Sequence, residues 1–160
     1  MERSPKGFSL IELLIVVAII LIIAAIAIPN FMRSRVAANQ ASAVSSLRTL
    51  NTAEVTYSST FGGGYSTDMP SLAQPAPGGV ATSTAAGLID SVLAQGAKSG
   101  YTFVYSPGES DATGRINNYS LNAGPNSAST GTNYYYTDQS GVIRMNSTTT
   151  AADTDSALAG

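Results

Sequence analysis

The side chains able to do chemistry in this chain are carboxylates, hydroxyls and a few basic groups. Its 160 residues include neither Cys nor His, which excludes thiol and imidazole nucleophiles, disulfides and the usual zinc and haem ligands. Ten acidic and eight basic side chains leave a formal charge of -2, with no basic surplus for a nucleic-acid backbone. The composition therefore favours neither an enzyme nor nucleic acid as the main partner.

Two candidate sites involve the polar C-terminal tail, which begins at Asn146. Asp138, Asp153 and Asp155 offer the oxygens that Ca²⁺ prefers, but they lack the spacing of a ligand loop, so the favoured interpretation is solvated carboxylates. We expect no cofactor. The consecutive hydroxyl residues Ser147, Thr148, Thr149 and Thr150 are candidate acceptors for O-linked glycans.

Glu12 is the acid that composition does not explain, because it lies inside an apolar run. The run from Phe8 to Pro29 would form a helix of about 33 Å, which matches a hydrocarbon core of about 30 Å. A carboxylate costs roughly 2.5 kcal/mol or more near the centre of such a helix and less near its end.

Two interpretations of Glu12 remain open. In the first, it is simply an acid at a helix N-terminus, where the helix dipole favours it. In the second, cleavage after Gly7 frees an α-amine at Phe8, and Glu12 of a neighbouring copy is the counter-ion that this amine needs in an apolar assembly.

The junction between the leader and the apolar run resembles a known signature. Lys6-Gly7-Phe8-Ser9-Leu10-Ile11-Glu12, followed by an apolar helix with Pro29 near its end, is similar to the N-terminus of type IV pilins and of type II secretion pseudopilins. The resemblance is tight from Gly7 to about Tyr57. It implies that a prepilin peptidase cuts between Gly7 and Phe8, that Phe8 is N-methylated, that Glu12 sets the register of assembly, and that Pro29 bends the helix.

The resemblance also implies partners and a location. The precursor would lie in the bacterial inner membrane, and an assembly platform there would polymerise it into a helical surface filament for adhesion, motility or DNA uptake. A periplasmic type II secretion pseudopilin, a minor pilin and a membrane-tethered binding module that keeps its leader are the alternatives. A secretory signal peptide cut near Ala25-Ile26-Ala27 is disfavoured by the length of the apolar run and by Glu12.

The elements predicted around this segment form an α+β pilin fold. The boundaries are a leader (1–7), a membrane or filament-core helix (8–29), its amphipathic continuation (30–60) and a globular domain (61–160) with a flexible tail. The helix should end near Ser59, because apolar residues recur every seven positions along its second half. They are Val36, Ala43, Leu50 and Tyr57, with Leu47 and Phe61 on the same side. Arg33, Arg35, Arg48 and Glu54 are expected to be solvated or intersubunit charges.

A small antiparallel sheet of about four strands should pack on that helix. The predicted strands are Tyr101–Tyr105, Ile116–Asn122, Thr132–Thr137 and Val142–Met145, and the core candidates on them are Phe103, Tyr119, Leu121, Tyr135 and Ile143. A Gly- and Pro-rich loop and a short helix from Ser83 or Thr84 to about Gly96 should precede them, with Leu88, Ile89, Val92 and Leu93 as the apolar face. Many type IV pilins have a C-terminal disulfide. Without Cys, the hairpin Asp138 to Gly141 and polymer contacts should hold the end of the sheet.

Overall fold

The structure, a computed structural model, describes residues 7–158. A long helix, α1 (Leu10–Phe61), is followed by a short helix, α2 (Ser91–Ala94), and by five strands. The strands are β1 (Ala97–Lys98), β2 (Tyr101–Pro107), β3 (Tyr119–Pro125), β4 (Tyr134–Asp138) and β5 (Arg144–Asn146). Two compact units are present, one ending at Arg35 and one beginning at Val36. The predicted α+β class is confirmed.

In the unit that begins at Val36, one side of α1 lines the core. Ala43, Leu47, Leu50 and Tyr57 are buried there, as their spacing predicts, because residues three and four apart share one face of a helix. Val36 and Phe61 are half-buried at the two ends of this stripe.

The five strands form an antiparallel meander in the order β1-β2-β3-β4-β5. All four predicted strands are present within three residues of their predicted bounds, and β1 is an addition. Phe103 of β2 lies opposite Ala123 of β3, which lies opposite Tyr135 of β4, and all three are buried. Alternation therefore directs this face of the sheet towards the core. The five predicted core residues of the sheet are all buried.

The predicted helix from Ser83 or Thr84 is wrong at its start. The helix begins only after Asp90, whose side chain accepts a hydrogen bond from the Leu93 N–H over 2.9 Å. The preceding residues are engaged elsewhere: the Ala86 N–H donates to the Ser71 carbonyl and the Leu88 N–H donates to the Leu72 carbonyl. Backbone groups paired in this way are not available to a helix.

Because α2 starts later than predicted, only part of the predicted apolar face is buried. Ile89 and Leu93 are buried and Leu88 is half-buried, whereas Val92 is 52% exposed. A turn of 3-10 helix, Pro70–Leu72, lies in the stretch predicted as loop and buries Leu72.

The loop after α1 returns to the domain through a close approach of two backbones. The Tyr65 N–H donates to the Ile116 carbonyl over 2.8 Å. Gly64 has a φ of +83°, and a Cβ at this position would collide with the Ile116 backbone. Gly64 is therefore required both by its conformation and by the space available.

Candidate functional site

The N-terminal junction is accessible and not helical. Gly7, Phe8 and Ser9 precede α1, and the Phe8 side chain is 80% exposed. Exposed terminal backbone of this kind is open to a peptidase. The rest of the predicted leader lies outside the described residues, and cleavage after Gly7 and methylation of Phe8 stay predictions.

The Glu12 carboxylate binds the start of its own helix. The Ser9 N–H donates a hydrogen bond to Glu12 Oε2 over 2.8 Å. Ser9 directly precedes the helix and Glu12 is its third residue, which is the spacing of a capping box. The sequence carries this signal as Ser-x-x-Glu, and neither interpretation of Glu12 from the apolar run includes it. The role of Glu12 in assembly stays a prediction.

The first part of α1 exposes its apolar side chains on all sides. Between Phe8 and Phe31, sixteen large apolar side chains are 46–80% exposed. Among the described residues, α1 is the one helix long and apolar enough to cross a membrane. The helix continues without interruption through Pro29, and the bend predicted there stays a prediction.

A second carboxylate of α1, Glu54, is fully buried, which corrects the prediction of a solvated or intersubunit charge. Its Oε1 accepts a hydrogen bond from Ser66 Oγ over 2.5 Å, and its Oε2 accepts one from the Ser66 N–H over 2.9 Å. Burial raises the pKa of Glu54 above its usual value, although both bonds to Ser66 act in the opposite direction. Position 54 follows Leu47 by seven residues, so the apolar period itself places this acid on the buried side.

Polar side chains also join the second part of α1 to the sheet. Asn51 Nδ2 donates to Thr137 Oγ1 over 2.8 Å, and Asn51 Oδ1 accepts a hydrogen bond from the Tyr119 hydroxyl over 2.9 Å. The Tyr105 hydroxyl donates to the Ser66 carbonyl over 2.8 Å. Burial raises the pKa of both tyrosines, so their hydroxyls stay protonated as donors.

The end of the sheet is held from two sides. In the predicted hairpin, the Gly141 N–H donates to the Asp138 carbonyl over 2.9 Å, and Gly141 has a φ of +73°. Composition predicts that the tail beyond it is mobile or lies over the outer surface, and in the structure it pairs with the last strand. The Met145 N–H donates to the Ser156 carbonyl over 3.1 Å, and the Leu158 N–H donates to the Ile143 carbonyl over 2.7 Å.

Asp155 fastens this tail. Its Oδ1 accepts a hydrogen bond from Asn146 Nδ2 over 3.0 Å, and its Oδ2 accepts one from the Ala152 N–H over 2.8 Å. Its backbone carbonyl accepts a further bond from Arg144 Nη1 over 3.0 Å. These contacts cover the outer edge of β5, which would otherwise present unpaired backbone groups.

The structure does not bring the three candidate calcium ligands together. Asp138 and Asp153 line a depression of about 320 Å³, and Asp155 is not part of its lining. Within residues 7–158, no three acidic side chains form a group able to hold a metal ion. The calcium site therefore gains no support.

The hydroxyl residues predicted as glycan acceptors lie at the surface of the domain. Ser147 to Thr150 are exposed, and Thr148 Oγ1 donates to Asn146 Oδ1 over 3.0 Å. Glycosylation of these residues stays a prediction.

Three consecutive tyrosines form the start of β4. Tyr135 is buried while Tyr134 and Tyr136 are half-buried, which is the alternation expected of a strand.

Comparison with known proteins gives matches to the N-terminal segment of the chain. The family model of the prokaryotic N-terminal methylation motif matches residues 3–28. The chain is 52% identical over 52 residues to the type IV major pilin protein PilA of Myxococcus xanthus, which covers 32% of this chain and 24% of that protein. It is 62% identical over 37 residues to the type IV wide pilus major component PilA4 of Thermus thermophilus, which covers 23% of this chain and 28% of that protein. No solved structure gives a significant match.

These matches confirm the prepilin-type segment predicted from Gly7, Phe8 and Glu12 onward. They cover about a quarter of the length of each relative and lie in the N-terminal part of this chain. The chain therefore carries a prokaryotic N-terminal methylation motif, in a segment similar to that of two type IV major pilus proteins.

Proposed function

We propose that this chain, with its prepilin-type segment, is the major structural subunit of a bacterial type IV pilus. A prepilin peptidase removes residues 1–7, Phe8 becomes the N-methylated first residue, and the subunit polymerises through its N-terminal helix. An inner-membrane assembly platform performs the polymerisation. The motif and the apolar helix fit a precursor in the inner membrane that later becomes part of a surface pilus.

The exposed apolar surface of the first part of α1 carries this proposal. Burying one large apolar side chain contributes about 1.5–3 kcal/mol, so the sixteen exposed from Phe8 to Phe31 represent tens of kcal/mol. Only lipid or other copies of the same helix can cover a surface that is apolar all round. When a subunit leaves the bilayer, the apolar surface of this helix must therefore be covered by the same helix of other copies.

Charge supports the same assembly. Without the leader, the chain has six basic and nine acidic side chains, a formal charge of -3. The α-amine at Phe8 would enter a nearly charge-free helical core, where Glu12 is the acid available from a neighbouring copy. An ammonium group buried without such a partner is strongly unfavourable.

The globular domain has a structural task in this proposal. The two relatives are named as pilus components, and a catalytic role is not expected of a chain without Cys or His. The sheet faces outward from the filament and forms its surface.

Electron microscopy of fibres sheared from the cell surface, with mass spectrometry of their subunit, tests the proposal. We expect long fibres built from a chain that begins at methylated Phe8. A processed chain confined to the envelope would instead indicate a pseudopilin or a minor pilin. An unprocessed chain would overturn the proposal and favour a tethered module.

A further inference from the structure

The outer face of the sheet, which points away from the core, carries two tyrosines of β4. Tyr134 and Tyr136 lie on either side of the buried Tyr135, so both side chains project from the outer face, and both are half-buried. A Cβ on Gly124 of β3 would lie 3.4 Å from the Tyr134 ring, so this ring packs beside a residue without a side chain. The outer face therefore presents two partly exposed aromatic rings, whose Cα atoms are about 7 Å apart along the strand.

Each of the two tyrosines lines a depression in the surface. Tyr134 lines a depression of about 400 Å³, and none of its described lining residues is charged. The polar members of that lining are Asn126, Ser127, Thr132, Ser147 and Thr148. Tyr136 lines the depression of about 320 Å³ that also contains Asp138 and Asp153. Both volumes lie in the range of small-molecule sites, about 300–1,000 Å³.

Exposed polar side chains surround Tyr136 in the second depression. Asn118 and Gln139 contribute amide groups there, and both side chains are exposed. A Cβ on Gly108 would collide with Asn118 Oδ1, so the missing side chain at Gly108 makes room for the Asn118 amide. Burial, followed by the carboxylates of Asp138 and Asp153, raises the pKa of Tyr136, and its hydroxyl therefore stays protonated as a donor.

The strands on either side of Tyr136 carry hydrogen-bonding atoms that the domain does not use. Asn122 of β3 and Arg144 of β5 lie directly opposite Tyr136 in the register of the sheet. Within residues 7–158, Asn122 Oδ1 and Arg144 Nε are buried and have no hydrogen-bond partner, which is unfavourable. Both side chains are only half-buried, so a rotation of either one brings its unpaired atom to a ligand on the outer face.

Together these groups select a ligand with an apolar face and many hydroxyls. A tyrosine ring offers an apolar face and a polar edge, while amides and hydroxyls can both donate to and accept from the hydroxyls of a ligand. The carboxylates of Asp138 and Asp153 repel anions. An aliphatic ligand would leave the polar groups of both depressions without partners, which is unfavourable. A neutral sugar meets all of these requirements.

We propose that the outer face of the sheet binds a neutral oligosaccharide, with Tyr134 and Tyr136 as the stacking platforms of two subsites along β4. The inference goes beyond the proposed function and does not require a fibre. In the proposed filament, the sheet faces outward, so both subsites would lie on the filament surface.

NMR titration of the full chain in dodecylphosphocholine micelles tests the proposal. This detergent contains no sugar, and the chain is made without glycosylation because Ser147 and Thr148 line the first depression. The neutral probes are cellohexaose, maltohexaose, chitohexaose and mannohexaose, and a heparin hexasaccharide is the anionic probe. We expect a neutral probe to shift the amide signals of residues 118–122 and 134–138 and to leave those of residues 47–57 unchanged.

Substitutions at Tyr136 separate stacking on the ring from bonding to the hydroxyl. Tyr136→Ala should weaken binding about fivefold, the ratio typical of one aromatic contact, whereas Tyr136→Phe keeps the ring and should bind nearly as the wild type does. Val92 is 52% exposed on α2 and lines neither depression, so Val92→Ala is the control and should leave binding unchanged. Tyr134→Ala and Tyr134→Phe give the same comparison if Tyr136→Ala does not fold.

Three results would overturn the proposal. They are the absence of shifts with every neutral probe, shifts confined to other surfaces, and tighter binding of the heparin hexasaccharide than of any neutral probe. Equal affinities of the Ala and Phe variants would show that the rings are not stacking platforms.

Discussion

Both glutamates of α1 accept a hydrogen bond from a serine backbone N–H, in opposite surroundings. Glu12 is exposed and binds the Ser9 N–H at the start of the helix. Glu54 is fully buried and binds both the N–H and the hydroxyl of Ser66. Glu54 therefore loses its hydration on folding, and this desolvation raises its pKa.

Replacing Glu54 by Gln should flatten the pH dependence of stability. Because the folded pKa of Glu54 lies above its usual value of 4.5, the native chain binds more protons than the unfolded chain between these two values. The contribution of Glu54 to the free energy of unfolding is therefore fully present below 4.5 and is lost as the pH rises through the folded pKa. Glu54→Gln carries no charge and keeps an oxygen for the Ser66 N–H.

Denaturant unfolding of the mature wild-type and Glu54→Gln chains between about pH 4 and pH 8 provides the measurement. The difference between the two chains should shift in favour of Glu54→Gln as the pH rises. Parallel pH profiles would show that Glu54 does not titrate as its burial requires.

Among the elements, two short segments return to the domain through backbone contacts. The loop after α1 brings Gly64 against the Ile116 backbone, and the C-terminal tail pairs with β5. Each segment also packs an apolar side chain against the core, Tyr65 in the loop and Leu158 in the tail.

Two glycines of the first loop form a matched pair. Gly62 and Gly64 both have positive φ, but a Cβ at Gly62 meets nothing within 4 Å, whereas one at Gly64 meets the Ile116 backbone. Gly62→Ala should cost only the strain of the left-handed conformation, about 1–2 kcal/mol. Gly64→Ala should lower the free energy of unfolding by at least about 2 kcal/mol more, because backbone must move. Equal losses in denaturant titrations would contradict the close approach at Gly64.

Asp155 and Asp153 of the tail offer a second matched comparison of substitutions. Asp155→Ala removes the acceptors of Asn146 Nδ2 and the Ala152 N–H and should lower the free energy of unfolding by about 1–3 kcal/mol. Asp153 is exposed, so Asp153→Ala should have little effect. Limited proteolysis at the tail should also be faster in Asp155→Ala alone. If Asp155→Ala and Asp153→Ala had equal stability and equal cleavage rates, the contacts of Asp155 would not hold the tail in place.

Across the molecule as a whole, local patterns predicted most of the fold. The seven-residue period of Ala43, Leu50 and Tyr57 predicted the buried side of α1, and aromatic, alternating runs predicted four strands. The junction at Gly7 and Phe8 predicted the prepilin-type segment, which the family comparison confirms.

The features that were missed depend on contacts distant in sequence. The helix expected from Ser83 starts only after Asp90 because residues before it pair with the 3-10 turn. The apolar period places Glu54 on the buried side of α1, but its partner Ser66 lies in the following loop, where no pattern in the sequence indicates the contact. The tail pairs with β5 through backbone groups, which leave no apolar pattern in the sequence.

In the proposed filament, other copies cover the first part of α1 while the sheet stays outside. Ile19 in the helix and Val104 on the sheet are 52% and 55% exposed in the subunit, so they start from nearly equal accessibility. Because the chain has no Cys, one cysteine introduced at either position can be followed without background.

Labelling intact, lipid-free fibres of Ile19→Cys and Val104→Cys with a water-soluble maleimide compares the two positions after assembly. We expect Val104→Cys to react readily and Ile19→Cys to react only after the fibres are dissociated in detergent and denaturant. Equal labelling of the two positions in intact fibres would contradict a filament core made of this helix.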